Sequence, residues 1–111
     1  MPKPQGTIGE TKFKILAIIY RNEVNKSVSY GYSIWTTLKK HFYCYLDDAD
    51  LRNVYRHLKD LGEAGLIKKS TKQIGGNTPE RQLYLLTESG RQLKNHFNKY
   101  LQIMDIAVQA P

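Results

Sequence analysis

The stretch "VYRHLKDLGEAGLIKK", Val54 to Lys69, decides how the chain folds. Its apolar residues Val54, Tyr55, Leu58 and Leu61, with Leu51 before them, keep helical spacing, so one stripe meets a core and Arg52, Asn53, Arg56 and Lys59 lie outside it. The pattern stops at Ala64-Gly65. Gly65 can take the left-handed conformation that closes a helix C-terminus, and "LIKKSTK", Leu66 to Lys72, continues as a strand. A helix therefore delivers the chain straight into a strand bearing Lys68, Lys69 and Lys72.

Downstream, "QIGGNTP" has the chemistry of a turn and "RQLYLLT" reads as a returning strand, which makes Leu66 to Thr87 a β-hairpin. Thr87 is a good N-cap, with Glu88 well placed in the first turn, for a last helix that spaces Leu93, Phe97, Tyr100, Leu101, Met104 and Val108 helically. Upstream, Thr11 to Tyr20 is too densely apolar for a one-sided stripe and reads as a well-buried first helix, broken by "RNEVNKSVS". A second helix starts near Tyr30-Gly31, carries Ile34, Trp35 and Leu38, and ends in Lys39-Lys40-His41. "YCYLDDAD" is then an irregular turn before the third helix.

Three helices followed by a hairpin is the order of a winged helix-turn-helix, in which the second helix crosses the DNA backbone and the third enters the major groove. The expected fold is mainly α with a small antiparallel β-hairpin, divided into a loose arm at 1–10, a winged-helix domain at 11–87 and a C-terminal dimerisation helix at 88–111.

With 111 residues, 41% hydrophobic and 24% charged, the chain holds one core, and no apolar run reaches the ~18 residues a membrane helix needs. The start "MPKPQGTIGETK" lacks the features of a secretory signal, and the single cysteine, Cys44, excludes an internal disulfide; a reducing cytoplasm is expected. A formal net charge of +7 favours a polyanionic partner, nucleic acid or an anionic membrane surface. There is no phosphate-binding glycine loop, nucleophile elbow or H-E-x-x-H helix, so an enzyme is not expected, nor a cofactor. His41 and Cys44, and the carboxylates of "DDAD", lack regular ligand spacing, and no metal is expected.

Three segments also resemble one family. "SYGYSI" is similar to the H-G-Y-E-I signature of PadR-like transcriptional regulators, with Gly31, Tyr32 and Ile34 retained and Tyr30 in place of the histidine. "VYRHLKDLGEAGLI" resembles their L-Y-x-x-L-x-x-L-x-x-x-G-L-I pattern at every anchor but Val54, and "YLLTESGRQL" resembles Y-x-L-T-x-x-G-R. The resemblance, spanning roughly residues 11 to 95, implies a dimeric winged-helix repressor of transcription, in some members responsive to phenolic or other small molecules. It also implies Asp50 as the N-cap of the third helix, Arg52, Asn53 and Arg56 at its DNA-facing start, and dimerisation through the last helix.

Charge distributes unevenly: Asp47 to Gly65 holds three basic residues against five acidic, while residues 1–46 hold seven against two and 66–86 four against one. Phosphate contact is therefore expected from the wing (Lys68, Lys69, Lys72, Arg81) and the second helix (Lys39, Lys40), with Arg52, Asn53, Arg56 and Lys59 reading bases or adjacent phosphates. The plain alternatives are a solvated Arg52, an Asn53 bonding its own helix start, and wing lysines that merely guard an exposed edge. Leu93, Phe97, Tyr100, Leu101, Met104 and Val108 are expected at a homodimer interface, the alternative being that they cap the core of a single chain. Trp35, Tyr20, Tyr32, Tyr43 and Tyr45 suit either a small aromatic effector or, more simply, core packing. Two rival functions stay open: a winged helix that binds protein, supported by the acidic third-helix segment, and a DNA-coating protein without sequence preference.

Overall fold

Gly65 stands at φ +78°, and the helix before it closes through two hydrogen bonds, Gly65 N–H to the Gly62 carbonyl (3.1 Å) and Leu66 N–H to the Leu61 carbonyl (3.0 Å). This pair is a Schellman closure, and Leu61 and Leu66, whose groups it joins, both belong to the buried core. The chain leaves the turn as a strand, as the opening stretch predicts.

The computed structural model describes residues 10–42, 51–73 and 81–109. Its elements run α1 (Glu10–Val24), α2 (Gly31–Phe42), α3 (Leu51–Glu63), β1 (Ile67–Gln73), β2 (Arg81–Leu86), α4 (Glu88–Arg91) and α5 (Lys94–Gln109). The expected loose arm, the Asp50 cap, Tyr43, Cys44, Tyr45 and the wing tip lie outside the described residues, apart from the arm's last residue, Glu10, which belongs to α1.

Helix α1 is the centre of the core. Ile15, Leu16, Ala17, Ile18 and Ile19 are consecutive and all buried, which is possible only because α2, α5 and β2 pack around it. It runs four residues beyond Tyr20, where the sequence suggested a break, since Arg21 to Val24 keep the helix going on its part-exposed side. Helix α2 contributes Ile34, Trp35 and Leu38, and α3 contributes Val54, Leu58 and Leu61. Tyr55 departs from the expected stripe: it is 49% exposed and its ring lies against Gly31, so closely that a Cβ there would overlap it.

Strands β1 and β2 pair antiparallel, with Ile67 opposite Leu86 and Lys69 opposite Tyr84; the register then shifts so that Lys72 faces Gln82. Two residues of β1 oppose one of β2 there, a bulge, and the Gln82 amide donates to the Ser70 carbonyl (2.8 Å) inside it. The sheet is also tied to the helices: Tyr84 N–H donates to the Ser29 carbonyl (2.9 Å), and buried Ser29 accepts from the Asn22 amide (2.9 Å).

The last helical segment is broken in two. Thr87 caps α4 as expected, accepting from Gly90 N–H (3.1 Å), and its hydroxyl also donates to the Gly65 carbonyl (2.6 Å). The chain turns at Gln92-Leu93 and resumes as α5, which lies along α1. Helices α1 to α3 followed by a two-stranded hairpin form a winged helix-turn-helix, as the order of elements in the sequence predicts.

Candidate nucleic-acid interface

The outer face of α3 presents Arg52, Arg56 and Lys59, all exposed, with Asn53 half-buried at the same helix start. Among the described residues none of the three cations has a carboxylate partner. The acidic character of this segment is reduced at Asp60, whose carboxylate pairs with Lys12 of α1 at 3.3 Å.

On the wing, Lys68 and Lys69 are both exposed, and they line a groove between β1 and the flank of α3 together with Lys59. For Lys72 only the backbone is described, on β1 beyond the bulge. Arg81, at the start of β2, is half-buried, with its guanidinium 4.5 Å from the centre of the Tyr30 ring. On α2, Lys40 is exposed, whereas the Lys39 ammonium folds back to 3.5 Å from the Trp35 ring centre. Lys39 is thus partly held by an aromatic face of its own helix.

The structure brings Lys59, Lys68 and Lys69 together along that groove, which Glu63 also lines, while Arg52 and Arg56 lie on the exposed face of α3 outside it. Between this region and α2 lies a second cleft lined by Tyr30, Gly31, Tyr32, Tyr55, Arg81, Gln82 and Tyr84. Sequence reasoning assigned Tyr55 to the core and left Tyr30 and Tyr84 without a role. One signal was available: Leu51, Val54, Leu58 and Leu61 make a complete stripe without Tyr55, which falls on its edge. Of the rings considered for an effector, Trp35 is buried and Tyr20 packs on Phe97 at 5.8 Å between centres, while Tyr32 is 54% exposed.

Much of the apolar stripe on the last helix lies against the core of the single chain. Phe97, Tyr100 and Met104 are buried within the chain itself, because α5 packs its apolar side on α1 and Tyr100 meets Phe42 of α2 edge-on at 5.7 Å. Leu93 and Leu101 are part-buried against the same core, and the side chain of Val108 lies outside the described residues. The outer side of α5 shows Asn95, Asn98, Lys99 and Gln102, with Ile103 as its one large exposed hydrophobic residue among those described.

Residues 15–95 match the family described as "Transcriptional regulator PadR-like family". The chain belongs to that family. The PadR-like chain is also similar to Bacillus subtilis PadR, solved in complex with operator DNA, at 27% identity and a TM-score of 0.58 over 81% of this chain and 45% of that one. It therefore spans less than half the length of the Bacillus subtilis protein. It is similar to smu.1704 from Streptococcus mutans (28% identity, TM-score 0.57, 88% of this chain and 81% of that one). A PadR-like regulator from Bacillus cereus shares the fold at 24% identity and a TM-score of 0.60, over 87% and 85% of the two chains. No curated protein sequence matches. Among the described residues of this PadR-like protein, no helix is long and apolar enough to cross a membrane.

Proposed function

We propose that this PadR-like protein is a homodimeric regulator that binds duplex DNA sequence-specifically in the cytoplasm and represses transcription by occluding its site. The observation that carries this reading is the exposure of Arg52, Arg56 and Lys59 on one face of α3, without carboxylate partners among the described residues, with Lys59 sharing a groove with Lys68 and Lys69 of the wing. In a winged helix this is the element that enters the major groove and the strand that flanks it, so arginine can reach base edges and lysine phosphate. The operator complex of Bacillus subtilis PadR, similar in fold and sequence, supports the same partner. In a dimer the two α3 helices would enter major grooves about 34 Å apart on a near-palindromic site.

The test is fluorescence anisotropy of a labelled duplex from upstream of the protein's own gene against a scrambled duplex, at several salt concentrations. Tighter binding to the natural sequence that persists at physiological salt is the expected result. Equal binding that collapses with salt would replace it with non-specific coating, and no binding at low salt with a protein partner.

A further inference from the structure

The cleft between α2, α3 and β2, about 370 Å³ in volume, is lined by four tyrosines, Tyr30, Tyr32, Tyr55 and Tyr84, and by Arg81, whose guanidinium lies over the Tyr30 ring. We propose that it seats one phosphate of the DNA backbone, with Arg81 supplying the charge and the hydroxyls of Tyr55 and Tyr84 donating hydrogen bonds. The proposal rests on the DNA-binding reading above and extends it from Arg81 to Tyr55 and Tyr84, which that reading does not use.

Arg81 is oriented for this role. Stacked 4.5 Å over Tyr30 and without a carboxylate partner among the described residues, it keeps its N–H edges available for a phosphate fork. Neither phenol oxygen of Tyr55 and Tyr84 has a hydrogen-bond partner among the described residues. Burial, and then the neighbouring Tyr55, push the Tyr84 phenol above its ordinary value, so it remains a protonated donor at neutral pH. The cleft is also held in shape: the Tyr55 ring rests on Gly31, and the Tyr84 backbone is bonded to Ser29 at 2.9 Å.

Two features favour the DNA backbone over a small molecule. The cleft is open, with Tyr32 54% and Tyr55 49% exposed, so it cannot cover both faces of a flat ligand but admits a group arriving from outside. Moreover, Tyr55 and Tyr84 are shared with the second groove, which carries Lys59, Lys68 and Lys69 against one carboxylate, Glu63. Cations thus recur in both, as successive phosphates of a strand require and a single free phosphate does not.

The experiment uses the full chain with the natural and scrambled duplexes. Tyr55→Phe and Tyr84→Phe keep the ring and remove one hydroxyl; each is expected to weaken binding to both duplexes about fivefold with the salt slope unchanged. Arg81→Gln is expected to weaken both about tenfold and to lower the slope by about one. Duplexes with single methylphosphonate linkages then locate the contact: one neutral linkage should reduce wild-type affinity and leave Arg81→Gln no weaker than before. Variants that bind as tightly as wild type, or no linkage coupled to Arg81, overturn the clamp while the DNA reading stands. A wild type that binds neither duplex overturns both. Inorganic phosphate that shifts the tyrosine ring resonances saturably, without any coupled linkage, would make this a free-phosphate site and also overturn it.

Discussion

Gly62 and Gly65 stand three residues apart at one helix end and hold opposite places in its energetics. Gly62 is exposed on α3 with open space where a Cβ would project, so Gly62→Ala should stabilise the fold by about 0.5–1 kcal/mol through helix propensity. Gly65 has equal space but a φ of +78°, so Gly65→Ala should cost roughly 1–2 kcal/mol. Urea unfolding of the two variants checks both signs; equal effects would mean the Schellman turn tolerates a side chain. At the end of α2, His41 has a pKa lowered by burial and then by Arg21 and Lys40, and its Nδ1 has no partner among the described residues. A histidine whose folded pKa is depressed binds its proton more tightly when unfolded, so its contribution is whole above the ordinary value near 6.5 and is lost as pH falls below it. Thermal melts between pH 7 and 5 should therefore show wild type losing more stability than His41→Gln.

Among the elements, Thr87 links what the sequence presented as separate features. It caps α4 and also holds the Gly65 carbonyl at 2.6 Å, joining the turn after α3 to the end of the wing. Thr87→Val preserves shape but removes both bonds, and a loss of about 1–2 kcal/mol in urea unfolding is expected. A loss no larger than a few tenths would leave the turn held by Gly65 alone. The cap was legible in the sequence because it is local, Thr87 followed by Glu88; its second bond was not, because Gly65 lies twenty-two residues away. The same distinction separates other features. Periodicity and glycine chemistry placed α2, α3 and both strands within a residue or two, whereas the β1 bulge depends on pairing with Gln82, and the exposure of Tyr55 depends on Gly31 of another helix. The basic face of α3 followed from spacing alone. The tyrosine cleft did not, since its residues come from three elements and none is charged except Arg81.

At the scale of the whole molecule, the question is which surface a second copy would use. An apolar stripe at helical spacing identifies a buried face without saying whether its partner lies in the same chain, and on α5 the partner of Phe97, Tyr100 and Met104 is α1 and α2. A charge at Phe97 therefore tests folding rather than association: Phe97→Asp should unfold the protein, because the ring is fully buried and leaves no route for the carboxylate to water. We propose that association through α5 uses its outer side, where Ile103 is 43% exposed. Ile103→Asp should leave the circular-dichroism melt within a few degrees of wild type, since the side chain is absent from the core, and shift sedimentation velocity from dimer to monomer. DNA affinity should fall with it, because two tethered α3 helices bind one site at a high effective concentration and a lone α3 does not. An Ile103→Asp protein that still sediments as a dimer would move the interface off this side of α5. A wild type that is monomeric at micromolar concentration would remove the two-groove arrangement from the proposed mechanism.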